Sequence, residues 1–201
     1  MMQLNALLFI LIGLFGVIGY QRGFNKEVIS LAAIVLALFT LNSFDDLLRL
    51  TLLGNTPTQT RFIVQALIFA VIVFFGYQTR ALIGGDAKAA QSVANRRYDD
   101  GGRLGGSGRR PDDGRDELQS RILGALMGLL NGYLVWGSLW YLMHINDYPL
   151  APFIRAPALG SDSASLVSAL PLYLLAGGPG GVDPLLSALV IVAFLIVLIL
   201  I

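Results

Sequence analysis

The sequence predicts an all-α, polytopic membrane protein with four to five transmembrane helices. Three observations carry that reading. Hydrophobic residues make up 55% of the 201 residues and charged residues only 13%, about half the charge of an ordinary soluble domain. The apolar residues come in runs long enough to cross a bilayer. The charges, in contrast, gather in one stretch, 84–117, where seven basic residues face seven acidic ones.

Residues 1–83 are expected to form three membrane helices. Leu4 to Tyr20 is the first: 17 residues with Asn5 as the only strongly polar member, enough at ~1.5 Å per residue to cross most of a ~30 Å hydrocarbon core. Met1 to Asn5 carries no basic residue and no small-residue cleavage pattern follows the run, so this segment is expected to stay as a span. Gly13, Gly16, Gly19 and Gly23 recur at three, three and four, which places them on one helix face.

Arg22, Gly23, Phe24, Asn25, Lys26 and Glu27 read as a tight polar turn, with Arg22, Lys26 and Glu27 in snorkelling reach of headgroups and Glu27 open to pairing with Arg22 or Lys26 at little cost. Val28 to Leu41 is the second apolar run. Residues 45–60 form a polar connection whose amphipathic piece, Leu47 to Leu53, is expected in the interface plane. Phe62 to Ile83 is the third span, holding Gln65 inside and Gln78 and Arg80 near its far end.

Residues 84–117 change composition to Gly, Arg and Asp. Such a segment has too little apolar surface to offset its ordering entropy and is expected to be a disordered linker. Asp99, Asp100, Asp112 and Asp113 interleave its basic residues and cancel the field that nucleic-acid binding needs. No nucleic-acid partner is expected.

The chain is organised around 118–145, a glycine-rich fourth helix. Gly124, Gly128 and Gly132 lie four apart, which on a helix opens a groove free of side chains. Inside a bilayer such a groove lets a second helix come to backbone contact, and the glycine face of the first span is its natural mate. Asn131, beside the groove, is expected to hydrogen-bond between helices. Trp136 and Trp140, with Arg80 and Arg121, are expected at the membrane edges.

Residues 146–182 are proline-rich and read as an outer interfacial segment. Leu166 to Ala176 is too short to cross and contains Pro171, so it is expected to be interfacial or re-entrant. Residues 183–201 form the probable fifth helix: Pro184 to Ile201 is 18 uncharged residues, ~27 Å as a helix.

Orientation follows from the basic residues. With the N-terminus outside, eleven Lys and Arg face the cytoplasm, nine of them between Arg80 and Arg121, against Arg49, Arg61 and Arg155 outside. That positive-inside bias predicts N-out, with the 84–117 loop cytoplasmic.

The chemistry is sparse. There is no cysteine and one histidine, His144, which excludes disulfides and thiolate metal sites. No carboxylate pair stands at helical spacing inside a span, so no nucleophile, cofactor or metal cage is legible and the chain is not expected to be an enzyme. The reading is a non-enzymatic accessory or assembly subunit, packing its helices against lipid and other integral membrane proteins in a larger complex. The alternative is a small channel or transporter, for which Gln65, Asn131 and the Pro171 segment are the only features.

Two signatures together carry a resemblance. Arg22-Gly23-Phe24 followed by Lys26-Glu27-Val28 sits between the first two spans, and Leu118 to Arg121 leads into Gly124, Gly128 and Gly132. In that order they resemble the colicin V production protein family of bacterial inner-membrane proteins, over roughly residues 4–143 without the linker. The resemblance implies a multi-pass protein of the bacterial inner membrane connected with export of a peptide toxin and with envelope maintenance. It singles out Arg22, Gly23, Glu27, Arg121, Gly124 and Gly128. The chain departs from the pattern at Asn5, where the family often has an acid, in the long linker, and in everything after His144.

Overall fold

A computed structural model of the chain describes residues 4–99, 113–178, 181 and 184–200. Helices α1 (Leu4–Arg22), α2 (Phe24–Ser43), α3 (Thr58–Asp99) and α4 (Asp113–Ile145) dominate it, and no strand occurs among the described residues. A π-helical turn (Leu47–Leu52) joins α2 to α3. Beyond α4 come the short α5 (Asp162–Ser165), a 3-10 turn (Leu166–Ala169), α6 (Pro171–Ala176) and α7 (Pro184–Leu200). Four helical stretches, Leu4–Arg22, Phe24–Ser43, Thr58–Gln78 and Glu117–Ile145, are long and apolar enough to cross a membrane. The protein is an all-helical membrane protein.

The polar turn is shorter than its six residues suggest. Gly23 alone separates α1 from α2, at φ +80, a left-handed conformation that glycine adopts without a Cβ clash. Helix resumes at Phe24, so Lys26 and Glu27 lie in the first turn of α2. A full turn then fixes the side-chain directions that a loop would leave free.

The linker is shorter too. Helix α3 runs to Asp99 and α4 starts at Asp113, so 84–99 and 113–117 are helical where a disordered segment was expected. Ala87, Ala89, Ala90, Gln91 and Ala94 are strong helix formers that extend the preceding span. Residues 100–112 of that linker lie outside the described residues.

The spanning helices stand in a row. Helix α1 packs on α4, α4 on α2 and α2 on α3, while α1 barely touches α2 and α3 barely touches α4. Burial follows this order: 44% of the span is enclosed in α2 and in α4, but only 17% in α1 and 11% in α3. Helix α7 begins near the C-terminal end of α2, where Asn42 Nδ2 donates to Gly181 O at 3.1 Å, and packs against α2. Its 17 residues reach ~26 Å, just short of the hydrocarbon thickness.

The Pro171 segment packs against α4. Pro171, Leu172 and Ala176 are buried, and Pro171 lies against α4 at Gly137, where a Cβ would come within 2.6 Å of its Cδ. Proline at the first helical position needs no N–H partner, and Gly177 ends the helix at φ +77.

Candidate functional site

Backbone contact between α1 and α4 sets the geometry from which the site follows. A Cβ on Gly19 would stand 2.2 Å from Gly124 O, one on Gly124 2.5 Å from Gly19 O, and one on Gly128 2.3 Å from Phe15 O. Gly132 faces Ile12 and Phe15, Gly16 faces Leu129, and Gly23 faces Ser120. The pairs run in opposite directions along the two helices, so α1 and α4 are antiparallel. Gly13 does not belong to this seam: nothing lies within 4 Å of its Cβ position. Six residues from Gly19, it stands about 120° round the helix from the seam and is exposed.

This seam carries Arg22 and Gly23 to the side of α4, and α2 closes over the other side. Glu27, on the first turn of α2, is 1% exposed. Its Oε1 accepts from Arg22 Nη1 at 2.9 Å, and its Oε2 accepts from Asn131 Nδ2 at 2.7 Å. The same Asn131 nitrogen donates to Glu27 O at 3.0 Å. Arg22 Nη1 also reaches Ser30 Oγ at 3.3 Å, and that hydroxyl donates to Lys26 O at 3.1 Å. The Arg22 guanidinium lies over the Tyr77 ring at 4.5 Å, a cation–π contact that draws α3 in. Three helices thus meet at one carboxylate, and α3 joins them through Arg22.

Glu27 therefore does not snorkel to headgroups. Asn131 and Arg22 together supply its charge-assisted hydrogen bonds, which is what permits a carboxylate to leave water. The sequence missed Ser30 and Tyr77 as partners, although Ser30 stands at i+3 from Glu27, on the same helix face. Asn131 Oδ1 and Tyr77 Oη are buried with no protein partner.

The other candidates separate from this node. Lys26 is exposed and Phe24 partly exposed, the Phe24 N–H donating to Ser120 Oγ at 3.4 Å. Arg121 pairs with Glu117 at 2.6 Å, both well exposed, and lies 5.8 Å from the Tyr20 ring. The Arg80 side chain lies outside the described residues. Trp140, expected at a membrane edge, is 2% exposed, and its Nε1 donates to Tyr148 Oη at 3.2 Å. The chain after α4 folds back and covers it. Trp136 is partly buried, edge-on to Phe15.

A second polar node lies at the far ends of α2 and α4. Asn146 Nδ2 donates to Gln65 Oε1 at 2.8 Å, and Gln65 Nε2 donates to Asp45 Oδ1 at 3.4 Å. Arg49 stands 3.7 Å from the other Asp45 oxygen. Burial raises the Asp45 carboxyl above its ordinary value of 3.8, with Arg49 opposing and Asp46 adding to the shift. A raised carboxyl binds its proton more tightly in the folded state, so Asp45 adds stability as pH falls through its folded value and takes it away as pH rises. Acidification from neutral pH toward that range should stabilise the detergent-solubilised protein through this group. Asp45→Asn should flatten that part of a pH–stability profile; an unchanged slope would remove Asp45 as its source.

Among the described residues, no cluster of three His, Asp or Glu side chains could hold a metal ion. The Glu27 node joins α1, α2 and α4 through side-chain hydrogen bonds. The sequence of its α1–α2 half has recognisable company: residues 4–91 match the family model described as colicin V production protein. Over this stretch, a little under half of the chain, the sequence is similar to the colicin V production protein family. Arg22, Gly23 and Glu27 fall inside the matched stretch, whereas Asn131 and the α4 glycines fall outside it. Neither the curated proteins nor the solved structures include a match to the chain.

Proposed function

We propose that this protein belongs to the colicin V production family and is a non-enzymatic accessory or assembly subunit of the bacterial inner membrane. Its N-terminus faces outward and the 84–117 region faces the cytoplasm, as the basic residues favour. The observation supporting the subunit role is the open row of helices. Helices α1 and α3 form its opposite edges, only 17% and 11% buried. Ile63, Leu67, Val71 and Phe74 make an exposed apolar stripe along α3. Among the described residues the single row encloses no lumen, and both of its edges can meet other spanning helices.

The glycine groove is not the docking surface in this reading, because α1 fills it. The buried Glu27 is the observation that favours the channel or transporter alternative, since intramembrane ionisable groups mark ion paths. Here its oxygens are taken by Arg22 and Asn131.

Blue-native electrophoresis of membranes in a mild detergent should find the chain in a heavy band with reproducible protein companions. Leu67→Trp and Val71→Trp, which alter only the outer stripe of α3, should shift it to lighter species. Recovery of the wild type as a lone monomer would overturn the subunit reading.

A further inference from the structure

We propose that the loop at 151–159 inserts into the bilayer surface on the side where α4 ends, with Phe153 and Leu159 as its anchors. Phe153 is 93% exposed and Leu159 102% exposed, the values of side chains that touch nothing else in the protein. Around them stand Ala151, Pro152, Ile154, Ala156, Pro157 and Ala158, with Arg155 the only charge and no acid. Lone exposed apolar residues are ordinary on protein surfaces, but a run of this composition is not.

The fold fixes where this loop lies. The antiparallel α1–α4 seam sets Ile12 beside Gly132 and Gly19 beside Gly124, so the first turns of α1 stand level with the last turns of α4. The spanning stretch of α4 ends at Ile145, six residues before the loop. The loop is held on both flanks. Ala151 N donates to Tyr148 O at 3.2 Å and Ile154 N to Leu150 O at 3.1 Å. After it, Ser161 caps α5, which touches α1. The apolar run is thus kept at the membrane boundary.

A second connection on the same membrane side repeats the pattern. Between the end of α2 and the start of α3, Leu50 is 74% and Leu52 63% exposed. Apolar side chains at this level sink into the headgroup–acyl boundary, and the Arg155 head can stay among phosphates. A protein partner would find no acid and no polar rim in 151–159 to specify it. Lipid needs neither.

The absence of cysteine makes single-cysteine labelling selective in the full chain. Phe153→Cys and Leu159→Cys, spin-labelled and reconstituted in phosphatidylethanolamine–phosphatidylglycerol vesicles, are probed by collision with oxygen, which concentrates in hydrocarbon, and with a water-soluble nickel chelate. Leu126→Cys, on the exposed face of the α4 span, is the reference for lipid, and a soluble spin label is the reference for water. Both loop labels should show an oxygen-to-nickel ratio well above the soluble label and toward Leu126→Cys. Leu50→Cys reads the second connection in the same way and serves if a loop variant fails to reconstitute. A ratio equal to that of the soluble label overturns the proposal. So does an immobilised spectrum with few collisions from either reagent, which would mean that protein covers the loop.

Discussion

Gly128→Leu should prevent α1 from docking on α4 and leave little folded protein to recover. The Cβ alone would meet Phe15 O at 2.3 Å and Gly19 Cα at 3.0 Å, both backbone atoms that no side-chain rotation can move aside. Even Gly128→Ala should cost about 1–3 kcal/mol, the usual range for overpacking, and leucine adds three more carbons to the same space. Gly13→Ala is the matched control, because its Cβ would enter open space. Unfolding in mixed micelles of rising dodecyl sulfate measures both. Gly13→Ala should unfold with the wild type and Gly128→Ala clearly earlier, with Gly128→Leu expanded from the start. Equal midpoints for the two alanine variants would mean that α1 and α4 are not in backbone contact.

The same numbers change what the glycines mean. The small-residue faces of α1 and α4 are consumed by one intramolecular pair, with Gly13 left outside it. A phenotype of Gly128→Leu in partner binding would therefore follow from the loss of the fold. Residues that touch partners should instead lie on the outer stripe of α3, where substitutions leave the seam intact.

Glycine spacing is legible because it is a property of one helix at a time: intervals of three or four fix a face without reference to anything else. The spans are legible for a similar reason, since length and apolar content are summed locally. Glu27 is a different kind of problem. Its direction depends on a one-residue break at Gly23 and on which face of α2 meets α4, neither of which a charge near a helix end reveals. Polar residues near a span's end have two outlets, water or a partner, and only the register of the partner decides. Trp140 shows the same limit. An aromatic near a helix exit fits a membrane belt until a later segment, here Tyr148, returns to cover it. Tyr148 and Asp147 both adopt positive φ, and nothing in the local sequence marks that turn.

Arg22→Ala should be among the most damaging substitutions in the protein, although Arg22 itself keeps about a quarter of its side chain exposed. It leaves Glu27, 1% exposed, as a buried carboxylate held only by Asn131. Breaking a buried ion pair from one side typically costs about 3–5 kcal/mol. Arg121→Ala removes an ion pair of similar length, 2.6 Å against 2.9 Å, but its partner Glu117 is 64% exposed and simply returns to water. That variant should leave the unfolding midpoint where it was. Glu27→Gln should fall between them. The free Asn131 Oδ1 can turn to accept from the new amide, at the expense of the bond that Asn131 Nδ2 makes to Glu27 O. The decisive variant removes both charges: Arg22→Met with Glu27→Gln should recover much of what Arg22→Ala loses, because no uncompensated charge remains inside. If the double variant is as unstable as Arg22→Ala, the loss comes from the packing of the Arg22 stem on Tyr77 and not from the buried charge. If Arg22→Ala and Arg121→Ala are equally mild, Glu27 is not enclosed between α2 and α4.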